Sequence, residues 1–153
     1  MIARREGRYP YFAFGSNLDV RQMVRRCPGA SLLGNATLQR YRLSFAGHSV
    51  TRSGGVATLV KGSRRAFTVG ALYGLTREHI DALDAAEGHP WYYSRETVVV
   101  HTHGALVEAY TYILDEPSNR PSLDYTEQIA RGYLAHGLDP AHLLAAVDRV
   151  VKS

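Results

Sequence analysis

Most of this chain is patterned in short apolar and aromatic runs, and helical spacing is confined to four stretches. The runs are bounded by Gly, Pro, Ser or Asn. They predict strands over Tyr9–Phe14, Ala36–Ala46, Val56–Val60, Phe67–Leu75, Tyr92–His101 and Ala105–Leu114. Gly104 between the last two runs predicts an antiparallel hairpin. Helices are predicted over Asp19–Cys27, with a capping-box pattern at Asp19 and Gln22, and over Arg77–Glu87, with Thr76 as N-cap. Two more are predicted over Leu123–His136, after Ser122, and over Pro140–Val151, where Asp139 is the N-cap and Pro140 the first helical residue. Six strands without regular βαβ alternation predict a mixed α+β domain rather than a doubly wound sheet. The segment from Glu116 to Ser122 holds two prolines but is too short to divide domains, so residues 1–153 are expected to form one domain.

Composition narrows the function classes. Hydrophobic residues make up 45% and charged residues 21%, as in ordinary globular proteins. No run approaches the length of a membrane span, and no apolar stretch follows the basic N-terminal residues as a signal peptide would require. With one cysteine, Cys27, no intramolecular disulfide is possible, and a cytoplasmic location is the expectation. The net charge of +4 is spread over separated pairs, Arg4/Arg5, Arg25/Arg26 and Arg64/Arg65. Nucleic-acid binding would need basic residues on one face among exposed aromatics, and the aromatics here fall in strand-like runs. Neither nucleic acid nor membrane is expected as a partner, and nothing in the chain sets an oligomeric state.

Two places carry candidate chemistry. Tyr11-Phe12-Ala13-Phe14-Gly15-Ser16-Asn17-Leu18 reads as a strand that stops at a glycine and turns into a helix. Such a turn aims several backbone N–H groups one way, at a positive helix end, which suits a carboxylate or an oxyanion. Plain turn chemistry would use the same residues. Ser16 is a conceivable nucleophile, but no Gly-x-Ser-x-Gly frame surrounds it. In the second place, Ile80, Leu83, Asp84 and Glu87 fall at i, i+3, i+4 and i+7 of a helix, so two carboxylates share the inward stripe. Burial and the negative helix end both raise the pKa of Glu87, as a general base working near neutrality requires. A salt bridge to arginine would account for either carboxylate equally well. His101 and His103, two apart on a strand, offer two metal ligands with no evident third, and Cys27 beside Pro28-Gly29 reads as a packed helix end.

Taken together the motifs resemble the gamma-glutamylcyclotransferase-like family, also termed AIG2-like. The opening run through Leu18 is similar to that family's Tyr-Gly-Ser-Asn-Leu loop. Tyr41-Arg42-Leu43-Ser44-Phe45 and Gly54-Gly55-Val56-Ala57-Thr58-Leu59 resemble its next strands. Val69-Gly70-Ala71-Leu72-Tyr73, Leu83-Asp84-Ala85-Ala86-Glu87-Gly88 and Tyr93-Ser94-Arg95 resemble its central block. Tyr110-Thr111-Tyr112-Ile113 and Pro121-Ser122-Leu123-Asp124-Tyr125 complete a match over roughly residues 9–139. The resemblance implies a small mixed β-barrel with surrounding helices and a cavity at one mouth. It implies intramolecular aminolysis of a γ-glutamyl amide to 5-oxoproline and a free amine or amino acid, with no metal or organic cofactor. By the same resemblance Glu87 is the acid/base, Phe14, Gly15, Ser16, Asn17 and Leu18 hold the glutamyl group, and Tyr93 and Tyr125 line the cavity. The chain departs from the family loop at Phe14, where Tyr is usual. Two alternatives stand beside this reading: a cyclotransferase specialised for a γ-glutamyl amine or γ-glutamylated secondary metabolite, and a non-catalytic binder of the same fold.

Overall fold

A computed structural model describes residues 2–5 and 7–153. Its seven strands are β1 (Tyr9–Ala13), β2 (Ser31–Gln39), β3 (Tyr41–Ser49), β4 (Gly54–Lys61), β5 (Phe67–Leu75), β6 (Ser94–Thr102) and β7 (Ala105–Ile113). The helices are α1 (Val20–Arg26), α2 (Arg77–Glu87), α3 (Leu123–His136) and α4 (Ala141–Lys152), with a single 3-10 turn over Ser16–Leu18. Five strands close a barrel in the order β1-β5-β2-β6-β7, and β7 meets β1 in parallel at Tyr11 and Tyr110. The remaining pair, β3 and β4, forms an antiparallel ribbon beside the barrel. The α+β barrel expected from the sequence is therefore the observed architecture.

The differences from the expected elements have local causes. One strand was expected over Ala36–Ala46, but the chain reverses at Arg40, whose φ is 68°, so β2 ends there and β3 begins. Apolar patterning runs through both arms of this turn, which hides the break. His103 belongs to the tight turn between β6 and β7, with φ of 47° at His103 and 76° at Gly104. It is thus not on a strand beside His101, and its ring lies against the Leu33 carbonyl instead. Among the described residues no three His, Cys, Asp or Glu side chains gather as a metal site would need. Among the described residues no helix is long and apolar enough to cross a membrane.

Helix ends follow their capping residues. The Asp19 carboxylate accepts from the Arg21 N–H, but Gln22 turns inward instead of completing a capping box. At α2 the box is closed by histidine: the Thr76 hydroxyl accepts from the His79 N–H, and His79 Nδ1 accepts from the Thr76 N–H. Gly88 and Gly137 end α2 and α3 in the left-handed conformation. Helix α4 starts one residue later than expected, with the Asp139 carboxylate accepting from the Ala141 N–H.

Two packing contacts position the site. Leu18 is fully buried, and Gly132 of α3 leaves no room for a Cβ against it, so the 3-10 turn sits directly on α3. Burial of a leucine of this kind contributes about 1.5–3 kcal/mol. The ribbon is tied to the barrel by Thr58, whose hydroxyl donates to the Leu114 carbonyl and accepts from the Leu114 N–H, both at 2.8 Å.

Candidate active site

Beside the barrel lies a cavity of about 200 Å³. Its walls come from the 3-10 turn, from the β3–β4 ribbon and from the end of α2 and the loop that follows it, closed by single residues of α1, α3, β1 and β7. Glu87 reaches it from the last turn of α2. Arg26 Nη1 of α1 donates to Glu87 Oε1 at 3.1 Å, and Asn17 Nδ2 approaches the same oxygen at 3.5 Å. Oε2 accepts no hydrogen bond among the described residues. The side chain is 15% exposed. Desolvation by that burial pushes its carboxyl above the ordinary value; Arg26, Arg52 and the bonds from Arg26 and Asn17 pull the other way without cancelling it.

Asp84, one turn earlier on the same stripe, has a different fate. Arg95 forms a close ion pair with Oδ2, and the Tyr112 hydroxyl donates to Oδ1 at 2.6 Å. Both of its oxygens are occupied, so the salt-bridge account is the right one for Asp84.

The turn residues are held by a polar network. Gln22 Nε2 donates to Ser16 Oγ at 2.7 Å and to Asn17 Oδ1 at 2.9 Å. Asn17 Nδ2 donates to the Tyr11 hydroxyl at 2.9 Å. Gln22 Oε1 in turn accepts from Arg52 and from Gln128, and Gln128 Oε1 accepts from Arg52. Arg52 is thereby fixed through both of its terminal nitrogens, 5.2 Å over the Tyr125 ring. Ser16 and Asn17 open the 3-10 turn, so their N–H groups have no partner within it.

Phe14, Gly15, Ser16, Asn17, Tyr93 and Tyr125 all line the cavity together with Glu87. The Leu18 side chain does not; it is a core anchor, and its carbonyl lies 3.1 Å from His136 Nε2. Phe14 supplies an apolar wall backed by Phe12, with ring centroids 6.2 Å apart. The hydroxyls of Tyr93 and Tyr125 both address Ala57 on β4: Tyr93 donates to its carbonyl at 2.7 Å, and Tyr125 accepts from its N–H at 2.9 Å. Tyr125 therefore keeps its own proton for another acceptor, and burial pushes its pKa up to about 12. Gly15 has a φ of −120°, so it is not required for a left-handed backbone. Space is the reason for glycine here, because an added Cβ would lie 2.9 Å from the Ala57 Cβ.

Ser16 has a glutamine and no histidine as its partner, and Cys27 is buried with its thiol toward the His79 carbonyl at 3.7 Å. Burial holds the Cys27 thiol at a pKa of about 11. Neither is poised as a nucleophile. Sequence reasoning missed Arg26, Arg52, Gln22 and Gln128 as members of the site. None of the four left a decisive signal; Gln22, read as a capping residue, is buried in α1 next to Met23.

The family model for gamma-glutamyl cyclotransferases, AIG2-like, matches residues 11–133, which include every residue that lines this cavity. The chain belongs to that family. It is similar to human gamma-glutamylcyclotransferase, 29% identical over 140 residues that cover 87% of this chain and 74% of the human protein. The bovine gamma-glutamylcyclotransferase is 30% identical over 135 residues, covering 84% of this chain and 71% of that one. A solved gamma-glutamyl cyclotransferase structure superimposes with a TM-score of 0.83 at 27% identity, over 90% of this chain and 85% of the other. Membership in this family makes the protein an enzyme of the gamma-glutamylcyclotransferase type.

Proposed function

We propose that the enzyme releases 5-oxoproline and a free amine or amino acid from a small γ-glutamyl amide, with Glu87 as the acid/base. The α-ammonium of the substrate must lose a proton before it can attack. Glu87 Oε2 takes that proton. The freed amine attacks the γ-carbonyl carbon, a C–N bond forms, and the oxygen gathers negative charge opposite the N–H groups of the 3-10 turn. Glu87 then returns the proton to the departing nitrogen as the original amide C–N bond breaks, and the ring nitrogen passes its second proton to the released amine, which leaves as an ammonium ion beside neutral-lactam 5-oxoproline. Arg26 and Asn17 act on the other oxygen, so they orient the carboxylate without occupying the one that works. The Tyr125 hydroxyl and the fixed Arg52 guanidinium offer donors to the substrate's own carboxylate or carbonyl.

The observation that carries this reading is a largely buried, pKa-raised carboxylate that keeps one oxygen free of hydrogen bonds and lines one small cavity together with the residues of the 3-10 turn. A pure binder of an acidic ligand would gain nothing from that carboxylate. On this reading the partners are small γ-glutamyl molecules in the cytoplasm, with no role for nucleic acid or membrane. The test is mass-spectrometric detection of 5-oxoproline from a panel of γ-glutamyl peptides and amines, each run beside its N-acetylated form. The free-amine substrates should yield 5-oxoproline and the N-acetylated ones nothing, because acetylation removes the nucleophile. N-acetylglutamate among the products would replace cyclisation by hydrolysis.

A further inference from the structure

The charged side chains that line the cavity are Glu87, Arg26 and Arg52. Arg26 is paired with Glu87 and also donates to Asn17 Oδ1 at 3.1 Å. Arg52 has no acid partner among the described residues. It stands in the turn between β3 and β4, half-buried, and neutral oxygens hold it: Nη1 donates to Gln128 Oε1 at 2.7 Å and Nη2 to Gln22 Oε1 at 2.8 Å. The Asp19 carboxylate joins this network by accepting from Gln128 Nε2 at 3.0 Å, not from Arg52. The Tyr125 ring backs the guanidinium, with its centroid 5.2 Å from the central carbon. A guanidinium carries five N–H donors, and the two glutamines take only part of them. Amide oxygens fix the group without neutralising it. Its charge acts on the cavity, because Arg52 is one of the cations that lower the pKa of Glu87 and of Tyr125. A cation partly withdrawn from water, held rigidly and left without a counter-ion, is a receptor for an anion that the ligand brings.

We infer that Arg52 binds the α-carboxylate of the γ-glutamyl group and makes the enzyme selective for substrates that carry it. This rests on the cyclotransferase reading above and adds to it the side chain that selects the glutamyl end. The α-carboxylate and the α-ammonium leave the same carbon, so holding one restricts where the other goes, and Glu87 is the acid of the same cavity that receives the ammonium proton. Gln22 links the two halves of this arrangement. Its Oε1 holds Arg52, while its Nε2 holds Ser16 and Asn17 of the 3-10 turn. The carboxylate receptor and the turn thus share one anchor.

The test compares γ-glutamyl-ethylamine with its α-carboxamide analogue. The leaving amine carries no carboxylate, so the anion under test is the substrate's only one. The carboxamide also changes the basicity of the α-amine, but it does so for every variant alike. The measured quantity is therefore the ratio of the two kcat/KM values, read as lactam formed, in wild type against Arg52→Gln. That ratio should fall by about 10–100-fold in the variant, the size of a hydrogen bond to a charged group. Arg52→Lys keeps the charge without the planar fork and should retain part of the preference. An unchanged ratio in Arg52→Gln overturns the proposal. Equal losses on both substrates overturn it as well, by moving Arg52 to the γ-carbonyl oxygen or to a structural role, and an Arg52→Lys ratio no higher than that of Arg52→Gln does the same. A second measurement does not depend on turnover. In Glu87→Gln, calorimetry should find γ-glutamyl-ethylamine bound about tenfold or more tighter than the carboxamide, and adding Arg52→Gln should abolish that difference. A binding preference that follows Arg52, in an enzyme whose wild type forms no 5-oxoproline, would remove the cyclotransferase reading and leave the carboxylate receptor standing. Formation of 5-oxoproline with a ratio indifferent to Arg52 would do the reverse.

Discussion

Asp84 and Glu87 sit one turn apart on the same face of α2, and their side chains are nearly equally covered, 20% and 15% exposed. Yet on the proposed mechanism one is a structural ion and the other the reactive group. Asp84 meets Arg95 on one oxygen and the Tyr112 hydroxyl on the other. Glu87 meets Arg26 and Asn17 on one oxygen only. Burial alone therefore does not make a catalytic carboxylate. A partly desolvated carboxylate whose second oxygen is left without a partner, and faces space, is what remains able to exchange a proton.

The largest expected effect separates the two residues directly. Glu87→Gln should lower kcat by about 10²–10⁴-fold, the usual contribution of a general acid/base, while circular dichroism and ligand binding stay near wild type. Asp84→Asn should leave turnover within about tenfold of wild type, below what general acid/base chemistry contributes. Comparable losses in both variants would end the distinction. The linkage also has a sign. Because the folded state raises the Glu87 pKa, that group favours the fold at acidic pH, and this contribution is lost as pH rises through the raised value. Thermal unfolding at neutral pH should accordingly find Glu87→Gln at least as stable as wild type.

The glycine turn that lines the cavity gives the next effect. Gly15→Ala should reduce kcat/KM by roughly tenfold or more, because the added methyl crowds Ala57 and displaces the turn N–H groups, and small misplacements cost catalysis heavily. Ser16→Ala loses only the bond from Gln22 and should cost less. A dead Ser16→Ala beside an active Gly15→Ala would move the chemistry from the backbone to the serine hydroxyl.

Stability should respond in reverse. Asp84→Asn strands the Arg95 guanidinium without its counter-ion, and urea unfolding should show a loss of about 1–2 kcal/mol, between exposed and fully buried ion pairs. An unchanged unfolding midpoint would show that the pair contributes nothing.

The smallest effect is a displacement of the pH profile. Glu87 must be ionised to accept a proton, so kcat/KM should fall as pH drops through its raised pKa. Arg26 is the foremost of the groups that lower that pKa. Arg26→Met should consequently shift the acid limb to higher pH. A limb that stays in place, or moves down, would show that Arg26 does not act on Glu87.

Strand and helix content were legible because apolar runs and capping residues are local: Thr76, Ser122, Gly88 and Gly137 each mark an element end by their own chemistry. The β2–β3 reversal at Arg40 was not, because nothing in an arginine announces a positive φ within an apolar run. Helical spacing brought Asp84 and Glu87 to one face and narrowed the chemistry to that pair. Their partners come from elsewhere in the chain. Arg95 and Tyr112 reach Asp84 from β6 and β7, and Arg26 reaches Glu87 from α1, 61 residues earlier. Sequence by itself determined the barrel-forming pattern, the glycine turn and the two acids. Only the tertiary structure decided which acid was neutralised, because hydrogen-bond partners are assigned by distances in space that barrel closure alone creates.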